Sequence, residues 1–200
     1  FATAVLSFVV AGHARAASRE EVQARAKQIF GVLPAEAPSA ENPITPEKIE
    51  LGRRLFFEPR ISISRKLSCN SCHGLATFGV DNEPTSVGHD GQRGARNSPT
   101  VYNAALHFAQ FWDGRAVDVE EQAKGPVLNP VEMGMGSDKD VEVILDSIPG
   151  YASAFAAAFP GEADPITYDN MARAIGAFER NLMTPGRLDA FMGGDLEALN

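Results

Sequence analysis

The feature that most constrains this chain is the run Cys69-Asn70-Ser71-Cys72-His73, which contains both of its cysteines. C-x-x-C-H is the attachment pattern of a c-type haem. Two thiols three residues apart on one helical turn can reach the two vinyl groups of a single porphyrin. The next residue then projects its imidazole at the iron as the proximal ligand. Other readings of the same residues are weaker. A structural zinc ion needs four ligands, and there is no second cysteine pair. A thioredoxin-like dithiol needs a βαβ setting, and no convincing period-2 strand is visible. Random placement of two cysteines and four histidines would give this pattern with odds on the order of one in several thousand.

Composition agrees with a haem-bearing globular chain. Of the 200 residues, 44% are apolar and 22% charged, which excludes a disordered or collagen-like polymer. The formal charge of −8 argues against a nucleic-acid binder, because nothing here could neutralise a phosphate backbone. No apolar run reaches the roughly 18–20 residues that span a bilayer. Two cysteines cannot make a disulfide-stapled scaffold. A buried porphyrin would add the apolar surface that a small helical domain lacks.

Both ends read as incomplete. The chain opens on Phe1, its residues 1–10 are apolar, and Ala14-Arg15-Ala16 follows. That is the shape of a secretory signal without its basic start, with a short buried helix as the alternative. Cleavage near Ala17 would remove His13 and place the mature chain in an oxidising compartment such as a periplasm. Asp195 to Asn200 follows Gly193-Gly194 and reads as the opening of another element. The expectation is a fragment truncated on both sides, its signal covering residues 1–17.

Between the ends the pattern is helical with long loops. Arg19 to Phe30 is charged and helix-favouring, and four prolines from Pro34 to Pro46 mark a linker. Thr45-Pro46 starts a helix whose Leu51, Leu55 and Phe56 share a face, and Pro59 ends it. Residues 76–100 carry no period, as expected of a functional or mobile loop. Asp118 with Glu121 forms a plausible capping box, and Gly125-Pro126 should stop that helix. Ser137 caps a helix with Val141, Ile144, Leu145 and Ile148 on one face, and Tyr151, Phe155 and Phe159 follow at helical spacing. Thr167 caps a last long helix with Met171, Ile175, Phe178 and Leu182 in a stripe.

The second axial position decides between a carrier, which keeps two strong ligands, and a catalyst, whose position can open. His89 lies in Gly88-His89-Asp90-Gly91-Gln92-Arg93-Gly94, where flanking glycines make a natural hinge. It could bind in one state and leave in another, or be an ordinary solvated loop histidine. His107 reads as a packed or surface histidine. Met133 and Met135 read as gap-fillers and stay off the ligand list.

Taken together, these segments resemble the bacterial di-haem cytochrome c peroxidase family from about Ile44 to Asn200. The resemblance rests on Leu51-Gly52-Arg53-Arg54-Leu55-Phe56-Phe57, the haem motif, Arg96-Asn97-Ser98-Pro99-Thr100, Phe111-Trp112-Asp113-Gly114-Arg115, Asn129-Pro130-Val131-Glu132-Met133 and Ala177-Phe178-Glu179-Arg180. It implies a mainly α, cytochrome c-like haem domain over residues 18–136. The first helices of a second such domain would occupy residues 137–200. It implies His73 as proximal ligand, His89 as removable distal ligand, Glu132 as catalytic carboxylate and Gln122 as its neighbouring amide. Trp112 would lie on the electron route between two haems, and Asn97 would be a calcium ligand. The implied activity is reduction of hydrogen peroxide to water in the periplasm. Electrons would come from a small cytochrome c or cupredoxin, and a homodimer is one assembly open to the protein. Relatives carry a second C-x-x-C-H, absent from these 200 residues, whose haem gathers the electrons. Two other readings are a plain electron carrier and a related di-haem enzyme of protein cofactor maturation. A carrier has no use for Glu132 or a hinged histidine. In the maturation enzymes the distal ligand is a tyrosine, and His89 speaks against that.

Overall fold

The computed structural model describes residues 16–199. The expected signal segment, with His13, lies almost wholly outside the described residues. Within them the chain is helical, with isolated β-bridges and no strand. None of the described helices is long and apolar enough to cross a membrane.

Residues 34–184 form one compact unit. Its first long helix, α2 (Pro46–Phe56), starts as its sequence predicts: the Thr45 side chain accepts from the Lys48 N–H at 3.2 Å. Such a cap contributes about 1 kcal/mol. Leu51, Leu55 and Phe56 are all but sealed from solvent, each worth about 1.5–3 kcal/mol of burial. The haem motif folds as the single turn α3 (Cys69–Cys72), and His73 N–H closes it on the Cys69 carbonyl at 2.9 Å. Then come α4 (Val119–Leu128), α5 (Asp138–Ser147), α6 (Tyr151–Ala158) and α7 (Tyr168–Arg180). Thr167 caps α7, accepting from Asn170 N–H at 3.0 Å, and Met171, Ile175 and Phe178 face the core.

Helices α2 and α7 pack closely against each other. A Cβ at Gly52 would stand 1.9 Å from the Ala174 carbonyl oxygen and 2.8 Å from Phe178 Cβ. A methyl group there must push two helical backbones apart. Gly52→Ala is therefore expected to cost about 1–3 kcal/mol or more, read as a lower denaturant midpoint at unchanged slope. An unaltered midpoint would mean that the helices separate freely.

Two sequence expectations change. The domain boundary expected at 136/137 is not where the chain divides. Val141, Leu145, Phe155, Met171 and Ile175 share one hydrophobic core with Leu51, Leu55 and Val127, so α5 to α7 complete the haem-motif unit. Nor does α4 stop at Gly125-Pro126: it runs to Leu128 with Pro126 inside. Burial of Ala123 and Val127 holds the last turn. The Gly125, Pro126 and Val127 carbonyls accept from Asn129, Met133 and Met135 N–H at 3.1, 3.1 and 2.9 Å.

The other unit takes in, among the described residues, 16–33 and 185–199. In it α1 (Arg19–Phe30) lies beside α8 (Arg187–Gly193), with Gln23 Nε2 donating to the Phe191 carbonyl at 3.1 Å.

Candidate functional site

Residues 34–184 enclose a cavity of about 500 Å³, in the range of cofactor sites. Cys69, Cys72 and His73 line it, among apolar walls that include Leu67, Val101, Val127, Met133 and Ile175. The two cysteines are not joined in a disulfide. Burial pushes the Cys69 thiol up to about 12, with the Glu179 charge adding to it, and burial also raises Cys72.

The imidazole of His73 is oriented by the backbone. Its Nδ1 lies 3.0 Å from the Pro99 carbonyl oxygen, which can only accept. Nδ1 therefore carries the proton, and Nε2 keeps its lone pair for a metal. Burial lowers the affinity of this ring for a second proton, which keeps it neutral and able to ligate. Two thiols and a neutral, oriented imidazole at an apolar cavity fit a covalently attached haem.

Glu132, Gln122, Trp112 and Asn97 line the same cavity. Glu132 stands in the turn after α4, half-buried, with Oε1 accepting from Asn129 Nδ2 at 2.8 Å. Burial raises its pKa, opposed by the Asn129 hydrogen bond and the Arg115 charge. Trp112 is 65% exposed and donates from Nε1 to the Asn97 carbonyl at 2.8 Å, so it is no core tryptophan.

His89 is not among the residues that line the cavity. Its backbone N–H donates to the Glu132 carbonyl at 2.8 Å, and its Nε2 lies 3.2 Å from Asp90 Oδ2. Its Nδ1 is buried without a partner. Asn97 donates its amide to the Glu83 carbonyl at 2.7 Å. Among the described residues no three His, Cys, Asp or Glu side chains gather as a metal group. His107 is exposed, while Met133 and Met135 are buried in the core.

Sequence reasoning missed Glu179. In the sequence it is one residue of the Ala177-Phe178-Glu179-Arg180 motif, yet it is 4% exposed and lines the cavity. The available signal was its place on α7, one residue after Phe178 of the buried stripe.

A family model described as di-haem cytochrome c peroxidase matches residues 46–197. The chain is 48% identical over 186 residues to a cytochrome c551 peroxidase of Pseudomonas aeruginosa, covering 92% of this chain and 54% of that protein. It is 45% identical to a cytochrome c551 peroxidase of Nitrosomonas europaea, covering 85% and 52%. The chain thus spans about half the length of these curated relatives. Among solved structures, a MauG-like protein associated with microbial copper homeostasis aligns with a TM-score of 0.75 at 31% identity. That alignment covers 82% of this chain and 49% of the other.

Proposed function

Because this chain belongs to the di-haem cytochrome c peroxidase family, we propose that it is the peroxide-handling part of a periplasmic enzyme that reduces hydrogen peroxide to water. The observation that carries this reading is one cavity lined by Cys69, Cys72 and His73 together with the carboxyl of Glu132 and the amide of Gln122. A bare electron carrier needs no acid–base group beside its haem.

Cys69 and Cys72 would hold the haem by thioethers and His73 Nε2 would ligate its iron; the bound group supplies the redox chemistry. The remaining work falls to protein side chains. Gln122 orients peroxide by hydrogen bonding. Glu132 accepts a proton from the inner peroxide oxygen and returns it to the outer one, which leaves as water. Two electrons and two further protons complete the second water. A small cytochrome c or cupredoxin donates the electrons, which enter by way of Trp112. His89 closes the site in the resting state: the Gly88 to Gly94 loop turns its ring in, and loop movement withdraws it.

The test mixes haem-loaded protein, peroxide and a reduced small c-type cytochrome. Two donors are expected to be oxidised per peroxide. His89→Ala is expected to bind peroxide while still oxidised, whereas the unaltered protein needs prior reduction. A haem that binds neither peroxide nor cyanide in either redox state would leave the carrier reading. An unchanged six-coordinate low-spin spectrum in His89→Ala would remove His89 as the ligand.

A further inference from the structure

Among the described residues, Glu179 is the one buried carboxyl lining the cavity that the proton shuttle above does not use. It is 4% exposed and projects from the last turn of α7. Among the described residues no cation pairs with it, and no hydrogen bond to its carboxyl is formed. The adjacent Arg180 is committed elsewhere: its Nε and Nη2 each bind Glu120 at 2.8 Å. Glu120 is further held by Asn42 Nδ2 at 2.8 Å, and Asn42 in turn by Lys48 Nζ at 2.9 Å.

The carboxyl oxygens of Glu179 are not sealed. Among the described residues only Ser64 Oγ and His89 Nδ1 are fully buried without a partner, so what surface Glu179 keeps opens into the cavity it lines. Its charge acts on the Cys69 thiol, which lines the same cavity. The charges that act on it are Arg180 on its own helix and Glu120 on α4, with Glu132, Arg115, Arg96, Arg93 and His73 elsewhere on the cavity wall.

We propose that Glu179 is the proton-accepting partner of haem reduction at this site: when a one-electron donor reduces the iron, the Glu179 carboxylate takes one proton from solvent. The step is balanced, one electron gained at the iron and one proton gained at the carboxylate. Its physical cause is electrostatic. Reduction removes one positive charge from a low-dielectric cavity, where an uncompensated carboxylate is costly. Burial already pushes Glu179 up to about 8, with the Glu120 charge adding to this and Arg180 opposing it. The ferric charge should lower that affinity and reduction restore it, so uptake falls near neutral pH. By linkage, the protonated carboxyl favours the reduced state and the ionised one opposes it.

This inference rests on the haem reading of Cys69, Cys72 and His73, and the experiment separates the two. Haem content is measured first by the haemochrome spectrum; its absence would defeat the haem reading itself. With haem present, reductive titrations are run across the neutral range. At fixed applied potential, the ferrous-to-ferric ratio of this haem is expected to fall by up to about tenfold per pH unit. In Glu179→Gln the ratio is expected to stay nearly level with pH, at the value of the acidic limb. Glu132→Gln is expected to retain the slope. A slope kept in Glu179→Gln, a slope lost in Glu132→Gln instead, or no slope in the unaltered protein would each overturn the proposal. Should Glu179→Gln fail to take up haem, redox-difference infrared spectra of the unaltered protein decide. A deuterium-sensitive carboxylic acid C=O band gained on reduction supports the proposal, and its absence overturns it.

Discussion

In the protein that carries both haems, Glu132→Gln is expected to lower peroxide reduction by about 10²–10⁴-fold while haem content stays normal. The size follows from what the carboxyl is placed to do. Breaking the O–O bond heterolytically requires a proton to leave one oxygen and arrive at the other. A group that serves both as base and as acid works best with a pKa drawn toward the working pH. Burial moves Glu132 in that direction, while Asn129 and Arg115 keep the shift in check. The turn that carries it is well held. Asn129 Oδ1 accepts from Val131 N–H at 3.0 Å and the Asn129 carbonyl from Glu132 N–H at 3.0 Å. Glutamine has the same shape and can keep the Asn129 contact through its own carbonyl, so the variant removes the proton exchange and little else. Steady-state peroxide consumption, normalised to haem, is the measurement. Turnover equal to that of the unaltered protein would remove Glu132 from the mechanism.

Much of the site was legible because chemistry imposes spacing. A haem needs two thiols three apart and a histidine next to them, so that spacing singles out Cys69, Cys72 and His73 as candidates, and the fold brings all three to one cavity. Helix starts were equally plain: Thr45, Asp118, Ser137 and Thr167 each cap as their side chains suggest, accepting an N–H three residues on. What was not legible depends on packing between distant segments. Pro126 reads as a stop because a local rule says so, and only the burial of Val127 against a remote core overrides it. The boundary expected at 136/137 failed for the same reason, since an amphipathic helix does not record which neighbour will cover its stripe. His89 marks another limit. Glycines announce that its loop can move, but not that the ring here lies beside Asp90 rather than in the cavity. Glu179 had no spacing rule to reveal it, because its isolation from a counterion exists only once Arg180 has been taken by Glu120.

That ion pair carries the second large expectation. Arg180→Met should destabilise the folded protein by about 3–5 kcal/mol, because it strands a buried charge rather than merely deleting a contact. The side chains of Arg180 and Glu120 are 8% and 9% exposed, so water cannot replace the lost guanidinium. Gly176 makes the arrangement possible: a Cβ there would come within 2.6 Å of the Glu120 side chain, so α7 must present a bare backbone to let the carboxylate reach Arg180. The pH dependence gives the prediction its sign. Burial tends to raise Glu120, but the Arg180 and Asn42 hydrogen bonds outweigh it and hold the folded pKa below its ordinary value. A depressed pKa contributes stability that is present above the unfolded value, about 4.3, and is lost as pH falls through the folded one. Without Arg180 the stranded carboxylate instead resists ionisation. The penalty of Arg180→Met should accordingly be largest near neutral pH and shrink toward pH 4, where an unpaired Glu120 takes up a proton. The double variant Glu120→Gln, Arg180→Met should lose less than Arg180→Met alone, since it leaves no charge behind. Denaturant unfolding of the haem-loaded protein at two pH values measures both. A loss that is pH-independent and additive over the double variant would show that Arg180 acts through packing and that Glu120 does not depend on it for its charge.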